Sequence, residues 1–510
     1  MKRTTAGVLL LFIFVGALSF RALDLGLRPM HHDEANQAVK LGLLLEKGEY
    51  RYDPADHHGP TLYYLSLPVA RAFGRSSLAA LDERTLRFLP ALLGAALVLL
   101  LGLFRREMDG PGLAAAALLL AVSPAFVYYA RFYIQETLLV FFTAAFLGSL
   151  WTYRRRRTMG WAVAAGTSAG MMFATKETSI ILLAAAAAAY LLAGRAEGAA
   201  KKDAGTAGRT LVPARAWAGI AAAIGVAALF YSSFLAHPKG VLDSVLAFRD
   251  YFAKGGSPGF HAHPAGYYLG LLTWSSSGGL AWSESLILAL AFLGIVGIVR
   301  RRSAFGLFIS AYSMLTAAAF SLIPYKTPWN LLPFHFGFVV LAGFGISFLA
   351  ASLKRAPLRA AAAVLLLAGA AQLGAQAYAA SFRYPADPRN PYAYAQTGTD
   401  YLKLARRIED IAGVAPEGRH LPIAVVCDPH EMWPLPWTLR RFDRVGYWTN
   451  MDRASIARDV ALVIASRGPA EKIEMVLKDA YRSEYYGLRP EVLLTVFIRR
   501  DLWDRFMSLK

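Results

Sequence analysis

Acidic and histidine side chains are concentrated in the segment that follows the first apolar run. This segment reads His31-His32-Asp33-Glu34, and a helical stretch is predicted after it, over 34–45. One interpretation is structural, because Asp is a favoured N-cap and Asp33 directly precedes the predicted helix. The other is chemical, because a carboxylate whose pKa is tuned by its neighbours can act as a general base. The spacing alone leaves both interpretations open.

A second histidine motif lies in the same loop, at Asp53-Pro54-Ala55-Asp56-His57-His58-Gly59-Pro60. Its histidines and those of the first motif could join Asp33 around a divalent cation such as Mg, Mn or Zn. Neither an HxxxH nor an HExxH spacing occurs, so the metal signal is weak. The candidate ligands are Asp33, Glu136 and His58, and the requirement for a metal stays open.

Three further clusters of ionisable residues lie at the ends of apolar runs. They are 131–136, Lys176-Glu177 and 324–329. Ionisable groups at membrane depth are costly and usually face a cavity or a pathway. Glu136 and Glu177 each open a predicted helix, so charge complementarity with the helix dipole is the alternative explanation.

Four cations stand close to these clusters. Lys326 lies between two prolines in a short apolar connection, where its charge is hard to explain by solvation. Arg84 and Arg87 open the second apolar run, where anchoring at lipid headgroups is the alternative. Together with Arg131, these side chains could offset the negative charge of a leaving phosphate.

Eleven apolar runs must position these residues. Each has about 18–22 residues, enough to cross a hydrocarbon core of ~30 Å. The runs lie near 5–23, 86–104, 112–130, 134–151, 159–175, 178–194, 215–235, 282–300, 303–322, 330–350 and 358–378. The 510-residue chain is 56% apolar and 17% charged, and soluble domains typically have roughly 25% charged residues. The composition therefore excludes an ordinary soluble, disordered or collagen-like protein.

The distribution of Lys and Arg predicts the orientation of the runs. The formal net charge is +19, and basic residues cluster in alternate short loops such as 154–157 and 300–302. The positive-inside rule then places the N-terminus in the cytoplasm, and it places the loop 24–85 and the C-terminal part of the chain outside. We predict a multi-pass protein of the plasma (inner) membrane, in contact with membrane lipids. Topology explains the basic charge, so no nucleic acid partner is expected.

Composition changes near residue 380, where the Ala-rich apolar runs stop. We therefore predict a transmembrane domain at 1–380 and an outer domain at 381–510. Residues 399–412 have the apolar spacing of an amphipathic helix. Short β-rich runs lie at 423–427, 461–465 and 492–498. Strands that alternate with helices favour a small α/β domain, so the predicted fold class is an α-helical polytopic membrane protein with such a domain.

Several motifs follow one another in a recognisable order. They are Asp33-Glu34, Arg84-x-x-Arg87-x-x-Pro90, Ser123-Pro124 with Tyr129-Ala130-Arg131 and Glu136-Thr137, Thr175-Lys176-Glu177, and Lys326-x-Pro328-Trp329 with Leu332-Pro333. This order resembles the GT-C superfamily of integral membrane glycosyltransferases, which includes protein O-mannosyltransferases and lipid A aminoarabinose transferases. The resemblance covers residues 5–378. A prokaryotic branch associated with flippase activity and N-glycosylation is resembled most, through His32-Asp33-Glu34-Ala35, His58-Gly59-Pro60 and Trp433-Pro434-Leu435-Pro436-Trp437.

The resemblance implies a hexosyltransferase-type enzyme that uses a polyprenyl-phosphate-linked sugar, acts at the outer membrane face and inverts the anomeric carbon. It implies that Asp33 is the catalytic base, Glu136 a second acidic residue and Lys326 the late basic residue of the site. We assign the remaining candidates as follows: Glu34 to catalysis; Lys326, Arg84, Arg87 and Arg131 to the donor phosphate; and His57, His58, Lys176, Glu177 and Trp329 to the acceptor or the sugar. The acceptor is a glycan, a lipid or a protein. Relatives often have Asp at the place of Glu136 and a Glu/Lys-Pro-Pro stretch at the place of 57–60, which leaves the metal and the donor sugar open.

Two other functions compete with glycosyl transfer. One is a transporter or flippase component for lipid-linked glycans, and the other is a non-catalytic partner that binds them. A transporter often has ionisable residues near the membrane midplane and repeated halves. The predicted spans carry few charges and no internal repeat is found, which favours chemistry at the outer rim.

Overall fold

The computed structural model describes residues 3–56, 58–202, 214–256, 259–449 and 460–509. Its helices and strands, in chain order, are α1 (Arg3–Ala22), α2 (His32–Lys47), α3 (Thr61–Ala72), α4 (Glu83–Leu100), α5 (Gly110–Val122), α6 (Pro124–Tyr129), α7 (Glu136–Arg156), α8 (Met159–Phe173), α9 (Ser179–Lys202), α10 (Ala214–Tyr231), α11 (Lys239–Gly256), α12 (Tyr267–Thr273), β1 (Ser275–Ser277), β2 (Leu280–Trp282), α13 (Ser285–Arg301), α14 (Ala304–Leu322), α15 (Leu332–Ser352), α16 (Ala356–Tyr378), α17 (Tyr401–Val414), β3 (Ile423–Val426), α18 (Leu435–Thr438), β4 (Val445–Trp448), β5 (Leu462–Ser466), α19 (Arg467–Leu477), β6 (Tyr481–Arg489), β7 (Val492–Arg499) and α20 (Arg500–Ser508).

The chain forms two compact units. The first unit comprises Met1–Leu25, Glu49–Val69 and Arg87–Tyr384. The second unit comprises Gly26–Gly48, Ala70–Leu86 and Pro385–Lys510. The predicted boundary near residue 380 is close to the start of the last segment, but the second unit also takes two segments of the loop 24–85. Helix α2, which carries Asp33, therefore packs with the C-terminal part of the chain.

Helices occupy all eleven predicted apolar runs, so the helical membrane class is confirmed. Among the described residues, seven of these helices are long and apolar enough to cross a membrane: α1, α4, α7, α9, α14, α15 and α16. The chain is thus a multi-pass membrane protein. The helices α5 and α10 are apolar but shorter, and α8 has only 15 residues.

The predicted third run, 112–130, is two helices rather than one. Helix α5 ends at Val122, and α6 starts at Pro124, whose ring cannot donate the backbone hydrogen bond that a continuous helix requires. The backbone N–H of Ala125 donates instead to a side-chain carboxylate, that of Glu284 (3.0 Å). The break ends the long helix before the aromatic segment that leads to Glu136.

Glycine permits a close crossing of α8 and α10 in the first unit. A Cβ atom on Gly166 would lie 1.8 Å from the backbone oxygen of Gly219, whereas Gly225 on α10 faces open space. Small residues at such crossings let helix backbones approach closely in membranes.

The second unit is built on a five-stranded sheet with the order β4-β3-β5-β7-β6. β3 pairs in parallel with both β4 and β5, and β7 pairs antiparallel with β5 and β6. One face of the sheet packs against α17 and α20, and the other against α19. The small α/β architecture is therefore confirmed. The strands β4 and β6 were not predicted, and both lie at the edges of the sheet.

The crossing of α8 and α10 generates a stability prediction. Gly166→Ala should destabilise the protein by about 1–3 kcal/mol, because the added methyl group forces two backbones apart. Gly225→Ala is the matched control and should be neutral or stabilising, since Ala is favoured over Gly in helices. Thermal unfolding in detergent micelles measures both, and equal midpoints for the two variants would contradict the close approach.

Candidate active site

Asp33 lies in the first turn of α2, in the second unit. The N-cap of this helix is His31, whose Nδ1 accepts a hydrogen bond from the backbone N–H of Asp33 (3.0 Å). The interpretation of Asp33 as the cap is therefore wrong, because the residue two positions earlier already does this. The Asp33 side chain is 34% exposed and its Oδ2 lies 3.8 Å from His31 Nδ1. A helix N-terminus favours a negatively charged carboxylate.

Glu34 is completely buried beside Asp33, and its two oxygens have separate structural partners. Oε2 accepts from the backbone N–H of His31 (3.1 Å), which completes a capping box, and Oε1 accepts from Arg28 (3.2 Å). These contacts fix the start of α2. They favour a positioning role for Glu34, and its assignment to catalysis stays a prediction.

The histidines at the start of α2 are poor bases in this environment. Burial lowers the pKa of His31, and burial lowers the pKa of His32 to about 4, although the charge of Asp33 opposes both shifts. Both imidazoles are therefore neutral near pH 7. Asp33 is then the partly exposed carboxylate of this motif.

Glu136 and Lys176 form a buried ion pair in the first unit. Lys176 Nζ donates to Glu136 Oε1, and both residues are less than a tenth exposed. Glu136 Oε2 is buried and has no hydrogen-bond partner among the described residues. The pair joins the start of α7 to the turn before α9, and the second carboxylate oxygen remains available as an acceptor.

His58 forms a second pair with Glu177, the residue that follows Lys176. His58 Nδ1 lies 2.8 Å from Glu177 Oε2, and Tyr52 donates its hydroxyl to Glu177 Oε1 (3.4 Å). Gly59 makes this possible, because a Cβ atom there would meet the backbone oxygen of Ala174 at 2.2 Å. His57 lies outside the described residues.

Arginines assigned to the donor phosphate bind backbone carbonyls at the end of α1. Arg87 is buried and donates to Leu25 O (2.7 Å). Arg131 donates to Arg21 O, Leu23 O and Asp24 O, and its guanidinium lies 4.2 Å from the ring centroid of Phe382. These contacts fit a structural role, while Arg84 is exposed. Phosphate binding by the three arginines stays a prediction.

Lys326 is buried without a carboxylate within ion-pairing distance among the described residues. Its Nζ donates to His263 O (2.9 Å) and Ile323 O (2.6 Å). Burial lowers the pKa of the ammonium group. The backbone is held in place as well, since the Lys326 N–H donates to His261 O (2.9 Å).

Trp329 is buried in an aromatic cluster. Its ring lies at centroid distances of 6.1 Å from Tyr129 and 5.9 Å from Phe132. The cluster joins the start of α15 to the segment between α6 and α7. For metals, the described residues contain no group of three or more His, Cys, Asp or Glu side chains that could hold an ion.

A buried polar network that sequence reasoning missed lies in the first unit. Glu284 accepts from the Ser123 hydroxyl (2.5 Å) and from the Ala125 N–H (3.0 Å), and its Oε2 lies 2.8 Å from His335 Nε2. Glu284 and His335 are completely buried. Both residues lie within predicted spans. The sequence analysis expected these spans to carry few charges and did not single out either residue. Ionisable residues in spans are themselves the signal that could have found them.

Comparisons with known proteins give a consistent picture of the fold. A family model described as dolichyl-phosphate-mannose-protein mannosyltransferase matches residues 68–212. The solved structure of ArnT from Cupriavidus metallidurans is similar with a TM-score of 0.60 and 16% identity, over 95% of this chain and 97% of that chain. The same protein bound to undecaprenyl phosphate gives a TM-score of 0.59.

The archaeal oligosaccharyltransferase AglB from Archaeoglobus fulgidus, solved with an inhibitory peptide and a dolichol-phosphate, is also similar. Its TM-score is 0.56 at 14% identity, over 98% of this chain and 77% of that chain. No curated protein sequence matches the chain.

The Glu136–Lys176 ion pair generates a prediction about how strongly the two charges are coupled. Lys176→Met should destabilise the protein by about 3–5 kcal/mol, because it leaves a buried carboxylate without its cation. The double variant Lys176→Met/Glu136→Gln should recover most of this loss, since no buried charge remains. Thermal unfolding of the wild type, both single variants and the double variant measures the coupling. A double variant no more stable than Lys176→Met would show that the charges are not coupled.

Proposed function

We propose that this chain, which has the fold of the GT-C membrane glycosyltransferases, transfers a sugar from a polyprenyl-phosphate-linked donor to an acceptor. The similarity to a protein solved with undecaprenyl phosphate and to one solved with a dolichol-phosphate supports this class of donor. The transfer takes place at the outer membrane face, as the distribution of Lys and Arg indicates.

The observation that carries the proposal is the environment of Lys326. An ammonium group donates three hydrogen bonds, and two carbonyl oxygens accept from Lys326. Burying a charge without an opposite charge is costly. A donor phosphate would supply both the third hydrogen-bond acceptor and the negative charge that Lys326 lacks. The surroundings of Lys326 therefore favour a bound anion.

Asp33 acts as the general base. It removes the proton of an acceptor hydroxyl as the oxygen bonds to the anomeric carbon, while the bond from this carbon to the phosphate oxygen breaks. The electron pair of that bond leaves with the polyprenyl phosphate, whose added negative charge Lys326 stabilises. Attack from the face opposite the leaving group inverts the anomeric centre, as in inverting glycosidases.

The buried pairs position the reacting groups. Glu136 offers Oε2 as an acceptor for a sugar hydroxyl or as one ligand of a divalent ion. Lys176 holds the other oxygen of Glu136 in place, and His58 with Glu177 lines the neighbouring turn. Fixed geometry of this kind lowers the barrier because the reactants need not be oriented during the reaction.

The test of the base is Asp33→Asn, which keeps the shape of the side chain and removes its basicity. Sugar transfer from a polyprenyl-phosphate donor should fall by about 10²- to 10⁴-fold, the contribution typical of a general base. The matched control is Asp53→Asn, an exposed aspartate of the loop 24–85, which should keep full activity. Activity of Asp33→Asn equal to that of the control would refute Asp33 as the base, whereas no transfer by the wild type itself would favour a transporter or a non-catalytic glycan-binding partner.

The test of the cation is Lys326→Met compared with Lys326→Arg. Lys326→Met should weaken binding of undecaprenyl phosphate by about tenfold or more, because a charge-assisted hydrogen bond is lost. Lys326→Arg keeps the charge and should retain part of the affinity. Binding of the purified variants in detergent micelles can be measured calorimetrically, and unchanged affinity in Lys326→Met would refute the phosphate assignment.

A further inference from the structure

The second unit brings an indole ring and a cation to the N-terminal end of α2, where the charge of Arg489 acts on the His32 imidazole. Arg489 is the last residue of β6, and Trp433 lies just before α18. The ring of Trp433 stands 5.9 Å from the ring of His32, tilted by 45°. His32 directly precedes Asp33, so these C-terminal residues belong to the surroundings of the proposed base.

Arg489 is partly buried and lacks an ion-pair partner among the described residues. Its Nη2 donates to the backbone oxygen of His430 (2.9 Å), which fixes the direction of the guanidinium. Burial lowers its pKa, and the charge of Glu431 opposes this shift only in part. A guanidinium has five N–H donors, so this group is oriented by one contact and has further donors to offer.

Two other charged residues near the start of α2, Arg28 and Glu34, balance each other. Arg28 is bound to Glu34 (3.2 Å). His31 and His32 are neutral near pH 7, as described above. An anionic ligand approaching Asp33 would be repelled by that carboxylate, and Arg489 is the cation placed to offset this repulsion.

We propose that Arg489 and Trp433 form an acceptor subsite for a sugar that carries a negatively charged group, a phosphate or a carboxylate. The planar guanidinium matches either group with two parallel hydrogen bonds. The half-buried indole gives the apolar face of a sugar ring a flat surface to lie on. The subsite rests on the proposed function, because it presents an acceptor hydroxyl to Asp33, and it narrows the acceptor to an anionic glycan or glycolipid.

Binding of small sugars tests the subsite without requiring transfer. The probes are glucose 6-phosphate, glucuronate and glucose, added to the full chain in detergent micelles and followed by saturation-transfer difference NMR. The wild type should bind both anionic probes more tightly than glucose. Arg489→Gln should weaken both by about tenfold or more, and Arg489→Lys should fall between the two. Trp433→Leu should weaken all three probes.

Arg482→Gln is the matched control, since Arg482 is an exposed arginine on the same strand, and it should bind the probes like the wild type. Unchanged binding in Arg489→Gln, or no preference for the anionic probes in the wild type, would overturn the subsite. The ratio of the affinities for glucose 6-phosphate and glucuronate tells which anionic group is preferred.

Two further measurements distinguish the acceptor subsite from a donor-phosphate site and from a failure of the proposed base. Undecaprenyl phosphate should not displace glucose 6-phosphate, and displacement would assign Arg489 to the donor phosphate and overturn the acceptor assignment. Asp33→Asn should bind the anionic probes at least as tightly as the wild type, because the repelling carboxylate is gone, while losing transfer. If Asp33→Asn keeps transfer but Arg489→Gln loses probe binding, Asp33 is not the base and the subsite stands. If Asp33→Asn loses transfer but Arg489→Gln binds the probes like the wild type, only the subsite is refuted.

Discussion

A single buried carboxylate, that of Glu284, determines how three helices of the first unit begin or end. It accepts from Ser123 where α5 stops, from the Ala125 N–H where α6 starts, and it pairs with His335 in the first turn of α15. Removing one partner from a buried pair costs about 3–5 kcal/mol, because the remaining charge is left uncompensated. The break at Pro124 is therefore not a local irregularity. It ends α5 where it does, and the aromatic segment before Glu136 starts from there.

The need to satisfy buried polar groups where helices end also explains the contacts of Arg21 and Arg131. Arg21 donates to Leu120 O and Ala121 O at the C-terminal end of α5, where helix carbonyls lack intrahelical partners and the dipole is negative. Arg131 in turn donates to carbonyls of the turn after α1. Each guanidinium thus satisfies several carbonyl acceptors at buried or partly buried positions. Of these two cations, Arg131 is one that the sequence analysis assigns to the donor phosphate, and its contacts in the structure order the turn after α1.

How far the sequence predicts this structure depends on how local each signal is. Long apolar runs locate the eleven helical positions, and the buried runs at β3, β5 and β7 are visible because whole strands are apolar. The edge strands β4 and β6 are missed because they are partly exposed and mixed in composition. Pairing is harder still: Lys176 and Glu136 are 40 residues apart, and no property of either residue specifies the other as its partner. The spacing left the role of Asp33 open because both His31 and Asp33 have side chains that can cap a helix, and the structure shows His31 as the cap.

Ion pairing and exposure together separate cations that hold the fold from those suited to a ligand. Lys176 is bound to Glu136 and Arg28 to Glu34, so their charges are neutralised within the protein. Lys326 and Arg489 are also held by carbonyl oxygens, but no carboxylate lies within 4 Å of either group in the described part of the chain. A buried cation with unused N–H donors is costly until an anion pairs with it. Because its orientation is already fixed, it binds that anion without having to reorganise. The two residues lie in different units, and our two proposals give a lipid phosphate to Lys326 and an anionic sugar to Arg489.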